Sequence, residues 1–348
     1  MKALVYGGPG SKSWETMDDP GIIDPTDAIV QIETTTICGT DLHILHGDVA
    51  SVDAGRILGH EGVGTVVEVG SGVTNFAKGD RVIVSCITKC GRCSYCQQGY
   101  PDHCQSNDAG IGWILGHRID GTLSQYVRTP HADFSLHKLP EGVTDEKAVF
   151  LSDSLPTGFE VGVIAGGVKP GDVVAVVGTG AVGLAAILTA GLYGASRIIG
   201  IDTNAFRMEK AKEFGATDVV TAGDGARDAV IALTDGLGVD VAIEAVGYPE
   251  TLELALSIVR PRGRVANVGV HGVPVPFPME ALWVQNLNVS MGLVDATSTS
   301  TLLKMVASGR IPSEKMGTHT FKLDDIDSAW DTFANAAERN ALKVVLQA

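Results

Sequence analysis

Four cysteines in one short stretch have the spacing of metal ligands. They follow the pattern Cys-x2-Cys-x2-Cys-x7-Cys, as Cys90, Cys93, Cys96 and Cys104. A structural zinc site takes four tetrahedral ligands, and a two-residue spacer lets one loop turn two thiolates onto the same ion. A redox dithiol, an iron–sulfur cluster and a zinc finger that reads nucleic acid are the alternatives. Because four ligands leave no open position, the spacing predicts a structural zinc in a lobe of about residues 86–104.

Cys38 and His60 form a second possible metal-binding set. Cys38 opens the segment Cys-Gly-Thr-Asp-Leu-His, and His60 lies within Gly-His-Glu-Gly. Taken alone, Cys38 is more typical of a small buried side chain and His60 of a hydrogen-bonded loop residue. Taken together they indicate a catalytic zinc, which needs about three protein ligands and one open position. Spacing does not identify the third ligand, because 41 acidic residues and several histidines compete for that role.

A glycine-rich turn follows a run of five apolar residues, Val173–Val177. Such a run is typical of a strand buried on both faces of a parallel sheet. In G-x-G-x-x-G, Gly178 allows the tight turn, Gly180 lets the backbone approach a pyrophosphate, and Gly183 lets the helix pack closely on the strand. A second strand-like run ends in Asp202, 24 residues after Gly178, where an acidic group meets an adenosine ribose. The predicted dinucleotide-binding turn comprises Gly178, Thr179, Gly180, Ala181, Val182 and Gly183.

Composition excludes several partners. The formal net charge of −15 argues against nucleic acid and anionic membranes, since both require a basic surface. No run of about 18 apolar residues offers a membrane span, and glycines interrupt the N-terminus too early for a signal peptide. Five of the six cysteines fall between residues 86 and 104, which favours metal binding in a reducing compartment over a disulfide framework. We therefore expect a cytoplasmic protein.

The sequence pattern, and with it the predicted secondary structure, changes near residue 155. Before that point, short β-type runs such as Val63–Val69, Arg81–Val84 and Leu123–Val127 alternate with turns, which predicts an irregular β-barrel. After it, strands alternate with helices such as Arg207–Gly215, which predicts a doubly wound sheet of about six strands. The last 50 residues leave this alternation. The predicted class is α/β, with a catalytic domain at 1–154, a dinucleotide-binding domain at 155–292, and a return to the catalytic domain at 293–348.

Together these motifs resemble the zinc-dependent medium-chain alcohol dehydrogenases over essentially the whole chain. The resemblance rests on CGTDLH, GHEGVG, the four-cysteine lobe, and GTGAVG with its distal Asp, which occur in the family's order. It implies a GroES-like barrel domain, a Rossmann domain and a cleft between them. It also implies two zinc ions per chain, one catalytic and one structural.

The resemblance assigns roles to residues of the second metal set. Cys38 and His60 match the first two catalytic ligands. The segment around Asp153 resembles the branch that uses Asp as third ligand, which includes bacterial secondary alcohol and glutathione-independent formaldehyde dehydrogenases. Glu61 matches an acid beside the zinc, and Asp41 matches the carboxylate that orients the ligand histidine. In the matched proton relay, Thr40 accepts the alcohol proton and passes it through the cofactor ribose to His43.

The resemblance also suggests the substrate and cofactor contacts. Cys86, Ile87, Trp113 and Val270 fall where relatives line the substrate pocket, and Val270 is also assigned to the cofactor. Lys343 matches a basic position that touches the pyrophosphate. Such a pocket is apolar with one bulky wall, which suits small or medium alcohols, ketones and aldehydes.

These features predict an NAD-dependent zinc alcohol dehydrogenase that also reduces carbonyls. The Asp202 carboxylate would repel the 2′-phosphate of NADP, although Arg207, five positions on, could neutralise that phosphate. A formaldehyde dehydrogenase or dismutase, a polyol dehydrogenase, and a crystallin-like or regulatory binding protein on the same fold are the alternatives. We expect a homo-oligomer, a tetramer or a dimer, in which the edge strand near Leu287–Ser290 pairs with its symmetry mate.

Overall fold

The computed structural model describes all 348 residues. They form two compact units, here called unit 1 (Met1–Asp153 and Asp295–Ala348) and unit 2 (Ser154–Val294). The strands are β1 Lys2–Gly8, β2 Ser11–Thr16, β3 Ala28–Thr36, β4 Gly62–Val69, β5 Arg81–Val84, β6 Tyr126–Thr129, β7 Leu136–Lys138, β8 Val173–Val177, β9 Arg197–Asp202, β10 Asp218–Thr221, β11 Val239–Glu244, β12 Val259–Asn267, β13 Asn288–Met291, β14 Gly317–Lys322 and β15 Lys343–Gln347.

The α-helices are α1 Gly39–His46, α2 Ser94–Gln98, α3 Ala132–Ser135, α4 Asp145–Ala148, α5 Ser154–Thr157, α6 Ala181–Leu192, α7 Ala205–Glu213, α8 Ala226–Leu233, α9 Pro249–Ile258, α10 Met279–Leu282, α11 Thr299–Ala307, α12 Ile326–Ala334 and α13 Ala336–Arg339. A π-helical segment, Gly158–Ile164, follows α5. None of the helices has both the length and the apolar composition that a membrane span requires.

Unit 1 is built on a branched, mostly antiparallel sheet. Its strand order is β14-β15-β3-β4-β5-β7, and β6 pairs with β3. The C-terminal segment is part of this unit, because β15 pairs antiparallel with β3, Val345 opposite Thr36. Side chains from both ends of the chain share one core cluster, including Leu4, Ile44 and Trp330. This sheet and its core fix the start of α1, where Cys38 lies.

Unit 2 is a doubly wound domain around a six-stranded sheet of order β10-β9-β8-β11-β12-β13. All neighbouring strands in it are parallel. The central strand β8 has four fully or almost fully buried residues, as its apolar run predicts. Helix α6 begins at Ala181, directly after the glycine-rich turn. The strand–turn–helix unit predicted from the sequence is therefore present.

Some element boundaries differ from the sequence-based expectation. The predicted strand Leu123–Val127 begins only at Tyr126, because the residues before it pair with β1 through a single isolated bridge, Ser124 opposite Ala3. The predicted helix from Arg207 starts two residues earlier. The Asn204 side chain accepts from the Arg207 amide at 3.1 Å and caps the helix.

Candidate active site

Cys38, His60 and Asp153 converge in unit 1. Their ligand atoms all lie within 4.8 Å of one another. Asp153 Oδ2 is 3.5 Å from Cys38 Sγ and 3.6 Å from His60 Nε2. All three side chains are largely buried, Asp153 being the most accessible at 9 %. One sulfur, one imidazole nitrogen and one carboxylate oxygen form a donor set that suits zinc and leaves room for a fourth ligand.

Asp41 connects the two segments that carry Cys38 and His60. It lies in the first turn of α1 and is fully buried. Its Oδ2 accepts from the Cys38 amide at 2.9 Å, and its Oδ1 accepts from the Gly59 amide at 3.2 Å. His60 Nδ1 is 3.8 Å from Asp41 Oδ1, beyond hydrogen-bond distance. Asp41 therefore positions both ligand segments through their backbones, whereas the resemblance matched it to a carboxylate that orients the ligand histidine.

Gly59 is required by this arrangement. Its φ is +94°, and a Cβ there would lie 2.6 Å from the Leu123 amide nitrogen. A side chain at position 59 would therefore displace the segment that carries His60.

The Asp153 segment is tied to the His60 segment by Ser152. The buried Ser152 hydroxyl accepts from the Gly62 amide at 3.1 Å and lies 3.1 Å from the Gly62 carbonyl oxygen, to which it donates. The Ser152 carbonyl accepts from the Cys86 amide at 3.0 Å. Ser152 thus fixes the third ligand relative to the second, a role that sequence reasoning missed. The only sequence signal was its place beside Asp153.

Glu61 and Lys343 form a fully buried ion pair next to His60. Glu61 Oε2 accepts from the Lys343 ammonium and from the Thr36 hydroxyl, and the ammonium also donates to the Ile37 carbonyl at 3.3 Å. Burial would lower the pKa of Lys343, but the Glu61 carboxylate opposes this and raises it above its ordinary value. The sequence suggested that Lys343 touches the cofactor pyrophosphate. In the structure its ammonium, 3 % exposed, is occupied by Glu61 and Ile37.

The electrostatics of this site favour a positive charge. Burial alone would lower the pKa of His60, but the acidic groups of Asp41, Asp153 and Cys38 raise it well above its ordinary value. His60 Nδ1 is buried and has no hydrogen-bond partner. The excess of acidic donors around one imidazole is what a divalent cation would compensate.

Thr40 and His43 lie three residues apart on α1, so they share one face of the helix. Thr40 Oγ1 is 3.9 Å from Cys38 Sγ. His43 is partly exposed and its Nδ1 lies 2.8 Å from Asp48 Oδ2. The helix therefore carries one hydroxyl next to a candidate ligand and one imidazole that reaches solvent.

The predicted pocket residues of unit 1 are close to the ligands. The Trp113 ring meets the His60 ring edge-on, with centroids 6.2 Å apart, and stacks on His117 at 4.5 Å. The Cys86 amide donates a hydrogen bond to the carbonyl of Ser152, the residue before Asp153. Cys86 and Ile87 are both buried. The fourth predicted pocket residue, Val270, belongs to unit 2 and is about half exposed.

The four-cysteine lobe brings its sulfurs together within 4.8 Å of one another. Backbone amides point at them: Cys93 donates to Cys90 Sγ at 3.4 Å, and Cys96 donates to Cys93 Sγ at 3.5 Å. Although burial opposes it, hydrogen bonds from the Gln105 and Cys96 amides lower the pKa of Cys93 to about 6. These donors favour the thiolate, which is the form that binds zinc. Four sulfur ligands make a closed donor set of the kind that holds structural zinc.

The glycine-rich turn of unit 2 has the shape of a phosphate cradle. Gly178 has φ +90°, and a Cβ there would collide with Val246. A Cβ at Gly180 would meet nothing within 4 Å, so open space lies over the turn. The 12-residue helix α6 begins here, at Ala181, and the free backbone amides of its first turn are hydrogen-bond donors. The turn fits the pyrophosphate of a dinucleotide.

Asp202 ends β9 beside this turn and is 7 % exposed. Its Oδ2 accepts from the amide of Thr179 at 2.8 Å and from its hydroxyl at 3.0 Å. Arg207 lies in the first turn of α7, and its Nε is buried without a hydrogen-bond partner. Both residues therefore lie on the segment where the sequence predicts the adenosine ribose.

Comparisons with known proteins decide the family. Residues 24–141 match the alcohol dehydrogenase GroES-like domain, and residues 181–308 match the zinc-binding dehydrogenase domain. The chain belongs to the zinc-dependent medium-chain alcohol dehydrogenases.

Three individual proteins illustrate the family's range. An alcohol dehydrogenase of Cupriavidus necator is 36% identical over 100% of this chain and 98% of its own length. An NADP-dependent isopropanol dehydrogenase of Clostridium beijerinckii is 35% identical over 94% of this chain and 95% of its own. The solved apo structure titled zinc dependent alcohol dehydrogenase 2 from Streptococcus pneumonia is 49% identical, with a TM-score of 0.95, and covers 100% of this chain and 98% of that one.

Membership in this alcohol dehydrogenase family establishes the type of chemistry. The chain is an oxidoreductase that acts on CH–OH groups, with zinc and a nicotinamide cofactor. Its small-molecule substrates follow from the same membership. The resemblance drawn from CGTDLH, GHEGVG and GTGAVG is thereby confirmed at the level of the family and of the fold.

Proposed function

We propose that this alcohol dehydrogenase oxidises small or medium-sized alcohols, and reduces the corresponding aldehydes and ketones, with NAD(H) and two zinc ions per chain. The observation that carries the proposal is the convergence of Cys38, His60 and Asp153 within 4.8 Å. This set is incomplete, whereas the four-cysteine lobe is complete. We therefore assign catalysis to the first and a structural role to the second.

Cys38, His60 and Asp153 would hold the catalytic zinc, with Asp153 as the carboxylate ligand of this branch. A zinc ion bound here supplies Lewis-acid polarisation of the substrate oxygen and lowers the pKa of the alcohol. Asp41 and Ser152 keep the ligands in register through the backbone bonds described above. The Glu61–Lys343 pair keeps an acid beside the ligands and balances its charge. Trp113, Cys86 and Ile87 exclude water and shape the space for the alcohol's carbon chain.

The alcohol proton leaves through α1 in this proposal. The Thr40 hydroxyl would accept this proton, and His43, three residues further along the same helix, would pass it on to solvent. His43 is partly exposed and bonded to Asp48, so its imidazole can exchange the proton with solvent. A nicotinamide cofactor held by the glycine-rich turn of unit 2 would supply the acceptor for the hydride of the alcohol carbon.

The Asp202 carboxylate favours the binding of NAD over that of NADP. A carboxylate and a 2′-phosphate within about 4 Å repel by roughly 1–4 kcal/mol at the effective dielectrics of water and of a protein surface. That corresponds to about one to three decades in affinity. The unpartnered Nε of Arg207 acts in the opposite direction, since a guanidinium could bind the phosphate. We propose that Asp202 dominates, because three donors already hold its charge in place.

One experiment tests metal content, cofactor and substrate class together. Zinc is counted by elemental analysis on the purified protein, and NAD and NADP reduction is followed with primary alcohols, secondary alcohols, polyols and formaldehyde. We expect two zinc ions per chain and a higher kcat/KM with NAD. Asp202→Gly should raise the KM for NAD and narrow the gap to NADP. Equal or better kcat/KM with NADP in the wild type would refute the cofactor assignment, and turnover restricted to formaldehyde or polyols would replace the substrate class.

We also propose that the chain forms a dimer or tetramer through the edge of the unit 2 sheet. Strand β13 is the last strand of that sheet. Large apolar side chains near it are exposed, namely Met279 at 61%, Trp283 at 72%, Val284 at 54% and Met291 at 70%. An unpaired edge next to an apolar patch of this kind is typical of an interface. Sedimentation that finds only monomer at micromolar concentration would exclude it.

The cytoplasm is the compartment that we propose. None of the six cysteines is part of a disulfide bond. Metal-binding thiolates of this kind persist in a reducing environment. Recovery of the protein in an oxidising compartment by cell fractionation would contradict this assignment.

A further inference from the structure

The Asp202 carboxylate is held by the turn that precedes α6 as well as by Asn204, which lies just after the end of β9. Thr179, the first variable residue of G-x-G-x-x-G, is fully buried. Its amide and its hydroxyl both donate to Asp202 Oδ2, at 2.8 Å and 3.0 Å. The Asn204 amide donates to Oδ1 at 2.9 Å. Three donors of the protein thus fix one largely buried carboxylate.

Counting acceptor positions shows what remains for a ligand. An ionised carboxylate has about four lone-pair positions, two on each oxygen. Thr179 uses both positions of Oδ2, and Asn204 uses one position of Oδ1. One position of Oδ1 is left for a ribose hydroxyl. The carboxylate therefore offers a single, directed acceptor instead of the roughly four that a carboxylate without protein donors would provide.

The packing around Thr179 explains why its hydroxyl takes this direction. Its methyl group lies against Gly200 of β9, 3.2 Å from the position that a Cβ at residue 200 would occupy. A β-branched side chain has few χ1 rotamers, so fixing the methyl group also fixes the hydroxyl. Because residue 200 is glycine, Thr179 fits between the turn and the strand with its hydroxyl on Asp202.

We propose that Thr179 is a specificity-determining residue that sets the choice between NAD and NADP by orienting Asp202. This inference rests on the proposed role of Asp202 in binding the ribose. Thr179 is a positioning residue, since its hydroxyl is directed at Asp202. Without the hydroxyl, the carboxylate loses a charge-assisted bond and gains freedom to rotate away from the ribose. A mobile carboxylate binds the 2′-hydroxyl less well and also repels a 2′-phosphate less strongly.

The test compares Thr179→Val, which has nearly the same shape but lacks the hydroxyl, with Thr179→Ser, which keeps it. Dissociation constants for NADH and NADPH are measured on the full-length protein by titrating the fluorescence of the reduced nicotinamide. For Thr179→Val we expect NADH affinity to fall about 5- to 10-fold, the size of the net contribution of one typical hydrogen bond, and NADPH affinity to change less than about twofold. Thr179→Ser should stay within about twofold of the wild type for both cofactors. A merely structural role would weaken both cofactors equally in Thr179→Val, and that result would overturn the proposal.

A double-mutant cycle separates this inference from the proposed NAD preference. In an Asp202→Gly background, Thr179→Val should have no further effect on the ratio of NADH to NADPH affinity, because the group that it orients is gone. An undiminished effect there would refute the positioning role. The wild-type ratio tests the NAD preference separately. If the wild type prefers NADPH, the preference fails, while the two Thr179 variants still decide whether Thr179 acts through Asp202.

Discussion

The four-cysteine lobe takes its ligands from one stretch of 15 residues, whereas Cys38, His60 and Asp153 come from segments spread over 116 residues. In the lobe, neighbouring backbone amides point at the sulfurs, so each ligand is supported by the loop that carries it. In the Cys38, His60 and Asp153 site, hydrogen bonds between segments that are distant in sequence hold the ligands. These bonds involve Asp41, Ser152 and the backbone around Gly59. A closed set of four identical ligands depends on local geometry, while an open set of three different ligands depends on the fold of unit 1. Substitutions in the two sites should therefore separate stability from catalysis.

The largest expected effect is on turnover. His60→Ala removes one of three catalytic ligands, and loss of several kcal/mol of Lewis-acid stabilisation corresponds to a fall in kcat of at least about 10³-fold. Zinc content should drop from two ions to one, and Tm should change little, because the lobe is untouched. Elemental analysis, steady-state kinetics and thermal melting measure the three quantities. Wild-type turnover with full cofactor binding in His60→Ala would refute the catalytic assignment.

Lys343→Met tests the charge pair beside the open site. Removing the ammonium leaves the fully buried Glu61 without its cation, and breaking a buried pair in this way costs about 3–5 kcal/mol. We expect a marked fall in the free energy of unfolding, measured by denaturant titration, while NADH affinity changes little. Lys343→Arg, which keeps the charge, is the matched control. If Lys343→Met is as stable as the wild type but binds NADH weakly, Lys343 acts on the pyrophosphate as the sequence suggested.

Cys96→Ser should give the opposite result to His60→Ala. A structural zinc contributes directly to folding, so loss of one thiolate should destabilise unit 1. We expect a Tm lower by about 5–10 °C, which corresponds to about 2–3 kcal/mol for a unit of this size. The kcat of the protein that remains folded should stay within about twofold of the wild type. A variant that loses turnover but keeps its Tm would mean that the lobe takes part in catalysis.

The same contrast explains what the sequence could predict. The zinc site of the four-cysteine lobe could be predicted from residue spacing alone, because all four ligands lie in one continuous loop segment. The dinucleotide-binding turn could be predicted for the same reason, since its strand Val173–Val177, Gly178 and α6 follow one another directly in the chain. Spacing could not identify Asp153, because it lies 93 residues after His60 in the chain and only the tertiary structure brings the two side chains together. Only the resemblance to a family pointed to it.

Two further features were beyond sequence reasoning. Lys343 is the first residue of β15, and its pairing with Glu61 arises from strand register at the far end of the chain. Asp41 was matched to a carboxylate that orients His60, and in the structure its oxygens accept from the Cys38 and Gly59 amides. In both cases the residue type suggested a charge partner, and only the tertiary structure decided which partner it was.

Asp41→Asn gives the smallest and most specific effect. Its carboxylate accepts from the amides of Cys38 and Gly59, and an amide side chain can present only one oxygen, so an NH2 group would face one of these donors. The residues that support metal ligands typically contribute 10- to 100-fold to metal affinity or activity, and we expect a loss of about that size. It should appear as weaker zinc binding at the open site, measured by competition with a chelator, while zinc in the lobe stays bound. Thr129, a buried polar residue of unit 1 on β6, provides a control through Thr129→Val. If Asp41→Asn lost zinc equally from both sites, Asp41 would support the stability of unit 1 as a whole. It would then not act as a positioning residue for the Cys38, His60 and Asp153 site.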